Sequence, residues 1–511
     1  MNDMTIRIDG QSLKIEDVVR VARGNEAIEL AHEASDRINQ SRAVVEKLIA
    51  KGEKLYGTST GIGELSNVLL SPDQLKEFQK YVIYSHAAGW GDPVAIDDAR
   101  AAWLSRVNVL SKGYSGLRLV VVTTLVDMLN KGVTPVMCRK GSVGASGDLS
   151  PLGQGALVLL GEGEAFYRGE RMSGKEAMDK AGVKTLVFEA RDGLATINGS
   201  NLVAGMGSLQ VYDAERLIKT SEIAAAMTLE ALTPNMLAYD ARLHKARGYE
   251  GAVDCAENVR RIVEGSEILK QKPKKVQESY SLRSTPQVVG AAKDTLKFSR
   301  KMFEIEINGA GDNPLFLTDD GGICLTGANF QGTPLAFALE YLGTALTTVG
   351  ALSERRMNRL VNPALSMGLP AFLTKGAGMF SGMMLAQYTA ASLVCENRVL
   401  STPAATGSIP TAADQEDFVS MANTTAMKTR EILKNSAAIF AIELMAGAQA
   451  LDFRKPMTPG KGTQAAHDVI RKHVKHLEED RPLYNDIIEL AKVVESGEIL
   501  EAVERTVGKL K

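Results

Sequence analysis

The chain has 511 residues, 45% hydrophobic and 23% charged, with a formal net charge of −2. That balance excludes a disordered chain, and it offers no basic field for a phosphate backbone, so nucleic acid is not an expected partner. Four cysteines, Cys138, Cys255, Cys324 and Cys395, lie far apart without a CxxC pair, which excludes a disulfide framework and a zinc knuckle and fits a reducing compartment. Met1 to Gly10 has no basic segment followed by an apolar run, and the apolar stretch Leu335 to Leu346 is interrupted by Glu340. The expectation is a cytoplasmic protein with no membrane span.

In chain order, the alternation in Thr5 to Ile8 before Asp9-Gly10 predicts a short edge strand entering a turn. Val18, Val19 and Ala22 then recur at helical spacing, with Gly24 as the expected left-handed cap. Glu46 to Leu55 reads as helix. Gly116 to Asn130 reads as a buried helix closed by Gly132 and Pro135, although Val120-Val121-Val122 also suits a strand. Small residues between Arg139 and Gly153 predict a shaped loop. Beyond Asn201, the Ala-, Leu- and Met-rich stretches 201–231, 334–355 and 430–453 predict buried bundle helices. Arg454 to Gly462 reads as a linker before a charged, amphipathic cap. The expected division is a mixed N-terminal region (1–200), a central helical bundle (201–455) and a C-terminal helical cap (456–511), in a mostly α protein.

Several patterns carry less than they suggest. His473 and His476 are three apart but lie among Lys472, Lys475, Glu478 and Glu479, the pattern of a solvated face, so no metal site is expected. Gly205-Met206-Gly207 lacks a third glycine and a preceding strand, and close helix packing explains it better than a dinucleotide loop. Gly57-Thr58-Ser59-Thr60-Gly61 fits the letters of a nucleophile elbow, but helix rather than strand precedes it.

The sharpest chemical signal is Ala145-Ser146-Gly147, followed by Asp148. Natural side chains are acids, bases or nucleophiles, so an elimination from an unactivated amino acid needs an added electrophile. A peptide can supply one: attack of the Gly147 nitrogen on the Ala145 carbonyl, with loss of two waters including the Ser146 hydroxyl, gives a methylidene-imidazolone ring. Glycine permits the fold-back because it has no Cβ.

Gly144-Ala145-Ser146-Gly147-Asp148-Leu149-Ser150-Pro151-Leu152 resembles the signature of the aromatic amino acid ammonia-lyases. The family's other segments have counterparts in the same order: Tyr56 to Gly63, Asn198-Gly199-Ser200, Gln277 with Tyr280 to Arg283, Asn329-Phe330-Gln331-Gly332, and Gln415-Glu416-Asp417. The resemblance runs to about Met421. It implies a mostly α-helical bundle assembled as a homotetramer, with active sites made by several subunits. It also implies a self-made 4-methylidene-imidazol-5-one from Ala145, Ser146 and Gly147, with no external cofactor. Tyr56 and Tyr280 are then acid/base candidates, and His86, Asn198, Gln277, Arg283, Phe330 and Glu416 are substrate-binding candidates. Arg283 suits a carboxylate because its planar fork makes two parallel hydrogen bonds.

Ser85-His86, ahead of Ala87-Ala88-Gly89, and Glu416 resemble family members that act on histidine, and both can partner imidazole nitrogens. His86 alone equally suits a helix-packing or capping role. Ile62, Ser59, Gln331 and Phe418 depart from those members. A tyrosine or phenylalanine ammonia-lyase, a 2,3-aminomutase and an inactive helical scaffold are the alternatives, the last opposed by the presence of Tyr56, Ser146 and Arg283.

Overall fold

Ile6 and Ile8, the apolar positions of the alternating start, are buried, and Ile6–Ile8 pairs in parallel with Ile28–Leu30. The computed structural model describes residues 5–273 and 275–511, so the reading of Met1 to Gly10 falls partly outside the described residues. The first helix, Ile15–Gly24, ends one residue later than expected: the left-handed position is Asn25 (φ +54°), not Gly24. Asparagine tolerates this conformation better than most residues with a Cβ. The second helix, His32–Ala50, stops short of the expected Leu55. Gly52 there turns left-handed (φ +74°), and Glu53 N–H bonds back to Leu48 O at 3.1 Å. Residues 120–122 are helical, within Leu119–Lys131, which Gly132 caps at φ +75°.

The protein is mostly α-helical, with short strands confined to connections. The three expected bundle stretches lie in the helices Asn201–Leu232, Thr333–Val361 and Ala422–Asp452, and Thr285–Glu306 is a further long helix outside them. A methyl on Gly205 would overlap the Ala101 backbone, and one on Gly207 the Phe303 ring, so these glycines serve close packing, as expected. Thr333–Val361 is long and apolar enough to cross a membrane by composition, but 61% of its apolar window is buried within the protein. Its Glu340 accepts hydrogen bonds from Ala404 N (2.6 Å) and Thr425 Oγ1 (3.1 Å), as a core helix requires.

Contacts divide the chain into two compact units. One comprises Met1–Tyr212, Ser299–Glu340 and Pro403–Met427; the other comprises Asp213–Phe298, Tyr341–Thr402 and Lys428–Lys511. This division and the expected 1–200, 201–455 and 456–511 regions cut the chain at different places, because each unit takes non-consecutive segments.

In the first unit, the antiparallel pair Trp90–Pro93 and Cys138–Lys140 leads into the 141–148 loop, and Leu149–Ala156 leads out. In the second, Lys472, Lys475, Glu478 and Glu479 are exposed as expected, while His473 and His476 are only partly exposed and each is paired. The helix Lys461–His473 ends between them; His473 Nε2 lies 3.0 Å from Glu498 Oε2, and His476 Nδ1 2.8 Å from Asp452 Oδ2. Among the described residues no group of three or more His, Cys, Asp or Glu converges as a metal-ligand set.

The second unit is pinned by a buried ion pair. Arg356 and Glu443, both 0% exposed, meet through Nε–Oε1 (2.6 Å) and Nη2–Oε2 (2.8 Å). Glu443 also accepts from Thr228 Oγ1 (2.8 Å) and Ser353 Oγ (2.6 Å), joining three helices. Glu443→Ala strands a buried guanidinium and should cost about 3–5 kcal/mol, read by urea unfolding, whereas the apolar pair Arg356→Met with Glu443→Leu should recover most of that loss. Equal stability of wild type and Glu443→Ala would contradict this role.

Candidate active site

Leu55, 2% exposed, anchors the tyrosine loop by packing with Val44, Val45, Leu48 and Phe316. Its carbonyl accepts from the N–H groups of Thr58 (3.1 Å), Ser59 (3.0 Å) and Thr60 (3.3 Å), so the loop winds around it. Ser59 Oγ accepts from Leu55 N–H at 2.8 Å and donates to Glu53 O at 2.9 Å. This fixes Tyr56 half-buried, with its phenol oxygen accepting from Gly63 N–H at 3.0 Å. Burial pushes the phenol above the usual tyrosine range, and the Gly63 N–H opposes this by favouring the phenolate.

The Ala145-Ser146-Gly147 loop is held by backbone contact. Gly147 is left-handed (φ +76°) and bridges Gly199, and a Cβ there would overlap the Gly199 carbonyl. Asp148 N–H donates to Gly199 O at 2.8 Å, and its Oδ2 accepts from Val203 N–H at 3.0 Å, at the start of Asn201–Leu232. Burial raises the Asp148 carboxyl to about 6, with the Val203 N–H and Ser142 hydroxyl acting against it.

A cavity of about 800 Å³ opens over this loop, within the range of small-molecule sites. Tyr56, His86, Ser146, Asn198, Phe330 and Glu416 all line it, together with Ile62 and Gln415. Ser146 Oγ donates to Glu416 Oε1 at 2.7 Å. Glu416 is presented by a tip closed by Thr411 N–H to Glu416 O (2.9 Å), with Ala412, Ala413 and Asp414 all left-handed. His86 ends the helix Pro72–His86, and its Nδ1 lies 2.7 Å from Val82 O. A carbonyl only accepts, so Nδ1 carries the proton and a neutral ring keeps Nε2 as an acceptor. Burial lowers the His86 pKa, with Val82 O and Glu416 opposing, which favours that neutral form. His86 thus both packs at a helix end and faces the cavity. Asn198 donates Nδ2–H to Asn313 O at 2.6 Å, while its Oδ1 is buried without a protein partner.

Gln277, Tyr280 and Arg283 are not among the residues lining this cavity; they belong to the second unit. Tyr280 is 72% exposed and the Arg283 guanidinium stacks on its ring at 4.5 Å. Phe418, one of the departures, is also exposed and absent from the lining.

The sequence reading missed Gln79, which is fully buried. Its Nε2 donates to Gly57 O (3.1 Å), and its Oε1 accepts from Gly193 N–H (3.0 Å) and Leu194 N–H (3.2 Å). It ties the tyrosine loop to the segment carrying Asn198. Its i, i+7 relation to His86 on one helix was the available signal.

A model of the family described as aromatic amino acid lyase matches residues 13–472. A histidine ammonia-lyase of Alkaliphilus oremlandii is 48% identical over 503 residues, covering 98% of this chain and 99% of that protein. The crystal structure of a tyrosine aminomutase from Streptomyces globisporus superposes with a TM-score of 0.95 at 36% identity, covering 99% of this chain and 100% of that one. A histidine ammonia-lyase from Trypanosoma cruzi superposes with a TM-score of 0.92 at 34% identity, covering 98% and 96%. Sequence, fold and the order of the cavity-lining segments agree: the chain belongs to the aromatic amino acid lyase family.

Proposed function

We propose that this chain is a histidine ammonia-lyase, converting L-histidine to urocanate and ammonia with an electrophile made from its own Ala145, Ser146 and Gly147. The observation that carries the reading is the Ser146 hydroxyl, 2.7 Å from Glu416, in one cavity with Tyr56 and His86. The residues present fit a 4-methylidene-imidazol-5-one. Position 147 has no room for a Cβ, Ser146 faces the cavity, and the unpartnered Asn198 Oδ1 marks a polar place beside the loop. When formed, the group supplies the electrophile that no natural side chain provides.

The chain's own residues bind and move protons. Tyr56 takes a proton from the substrate's β-carbon, its oxygen steadied by the Gly63 N–H. Glu416 and the His86 Nε2 are alternative acceptors for the single N–H of a neutral imidazole ring, sparing the cost of about 1–3 kcal/mol for a buried donor left unpaired. Phe330 covers the ring. Gln277, Tyr280 and Arg283 reach the site from a neighbouring copy in a homotetramer, with Arg283 clamping the substrate carboxylate. The four unpaired cysteines accord with a cytoplasmic enzyme.

Intact-mass measurement tests the reading: the mature chain should be lighter than its sequence mass by two waters, lost from the peptide containing residues 145–147. An unmodified mass would overturn it. Ser146→Ala should fold and stay inactive.

The phenol has its own test. Because the reacting form is the phenolate and burial raises its pKa, kcat/KM should climb from neutral into alkaline pH, as the phenolate fraction grows. Tyr56→Phe should lower kcat by roughly 10²–10⁴-fold and flatten that climb. Near-normal turnover in Tyr56→Phe would move the proton role to Tyr280.

A further inference from the structure

Ser142 lies outside the tripeptide and outside the cavity lining, yet its hydroxyl touches both ends of the loop. Its Oγ accepts from Gly144 N–H at 3.1 Å. It stands 3.1 Å from Asp148 Oδ1 and 3.3 Å from Gly147 O, either of which can take its single proton. The residue before the tripeptide and the residues at its far end are thus joined through one oxygen.

Both feet of the loop are fixed independently. On the near side, Gly144 O accepts from Ser420 Oγ (3.2 Å) and Ser420 N–H (3.4 Å), and Val143 O accepts from Met421 N–H (2.9 Å). On the far side, Asp148 N–H holds Gly199 O at 2.8 Å. Ser142 spans the gap between these anchors.

Ring closure needs the Gly147 nitrogen against the Ala145 carbonyl carbon, an approach that an open peptide rarely samples and a closed loop holds. The N–C bond forms as the Gly147 amide proton passes to the carbonyl oxygen. The resulting hydroxyl leaves as water with the Ser146 amide proton. The Ser146 hydroxyl then leaves with its Cα proton as a second water, so no oxidant is required.

We propose that Ser142 is a positioning residue for this closure, a hydroxyl clasp that draws the two ends of the Ala145–Gly147 loop together. The proposal rests on the reading that the loop cyclises. It concerns the rate of maturation, and no contact of Ser142 with substrate is involved.

The test follows the intact mass of the full chain over time after cell-free synthesis, for wild type, Ser142→Ala and Ser142→Thr. Wild type should lose two waters. Ser142→Ala should lose them about tenfold more slowly, the worth of one buried hydrogen bond, while Ser142→Thr, which keeps the hydroxyl, should recover most of the rate. Once matured, Ser142→Ala should show an unchanged KM. Thermal unfolding of each variant controls for folding; if Ser142→Ala melts far below wild type, Ser142→Cys, a weaker donor of similar size, should still mature more slowly. Loss of water from Ser142→Ala at the wild-type rate, or from Ser142→Cys at that rate where Ser142→Ala does not fold, overturns the clasp and leaves the cyclisation intact. A wild-type chain that never loses water overturns both.

Discussion

Two backbones meet without side chains between them where Gly147 lies against Gly199, and the cavity lined by Ser146 and Asn198 is arranged around that contact. Glycine at 147 satisfies two demands together, a left-handed φ and the absence of a Cβ. The contact places the tripeptide beside the Asn198 segment, while Asp148 accepts a backbone N–H at the start of Asn201–Leu232. The loop is thereby built onto a long helix, which gives the tripeptide a rigid base.

Around that base, polar groups are buried with their roles divided. Burial acts on Tyr56, His86 and Asp148 in the direction their charges require: the phenol and carboxyl are raised and the imidazole is lowered. All three therefore favour their neutral forms more than they would in water. Separate hydrogen bonds oppose each shift: the Gly63 N–H at Tyr56, the Val82 carbonyl at His86, and the Val203 N–H with the Ser142 hydroxyl at Asp148.

Much of this was legible in the sequence because the chemistry is demanding: an Ala-Ser-Gly turn, a tyrosine loop and a Gln-Glu-Asp segment in fixed order leave few readings. The long bundle helices were equally plain from their Ala- and Leu-rich stretches. What could not be read depends on tertiary context. Ala412, Ala413 and Asp414 take left-handed backbones that alanine disfavours, so only the closed tip at Thr411 and Glu416 explains them. Gln79 and Ser142 look like ordinary polar residues until their partners, distant or local, are in place. His473 and His476 looked solvated because their partners, Glu498 and Asp452, are remote in sequence. The two units escaped notice because each is assembled from separated segments.

Under the proposed function, an imidazole-bearing amino acid loses ammonia in this cavity, with Glu416 recognising the ring. The most direct measurement is kcat/KM for ammonia release from L-histidine, L-tyrosine and L-phenylalanine, with product identification, in wild type and Glu416→Gln. Wild type should prefer histidine and yield urocanate, and Glu416→Gln should lose roughly one to two orders of magnitude on histidine alone, because the charge-assisted contact to the ring is weakened. Wild-type preference for tyrosine or phenylalanine, or a β-amino acid product in place of released ammonia, would contradict the account.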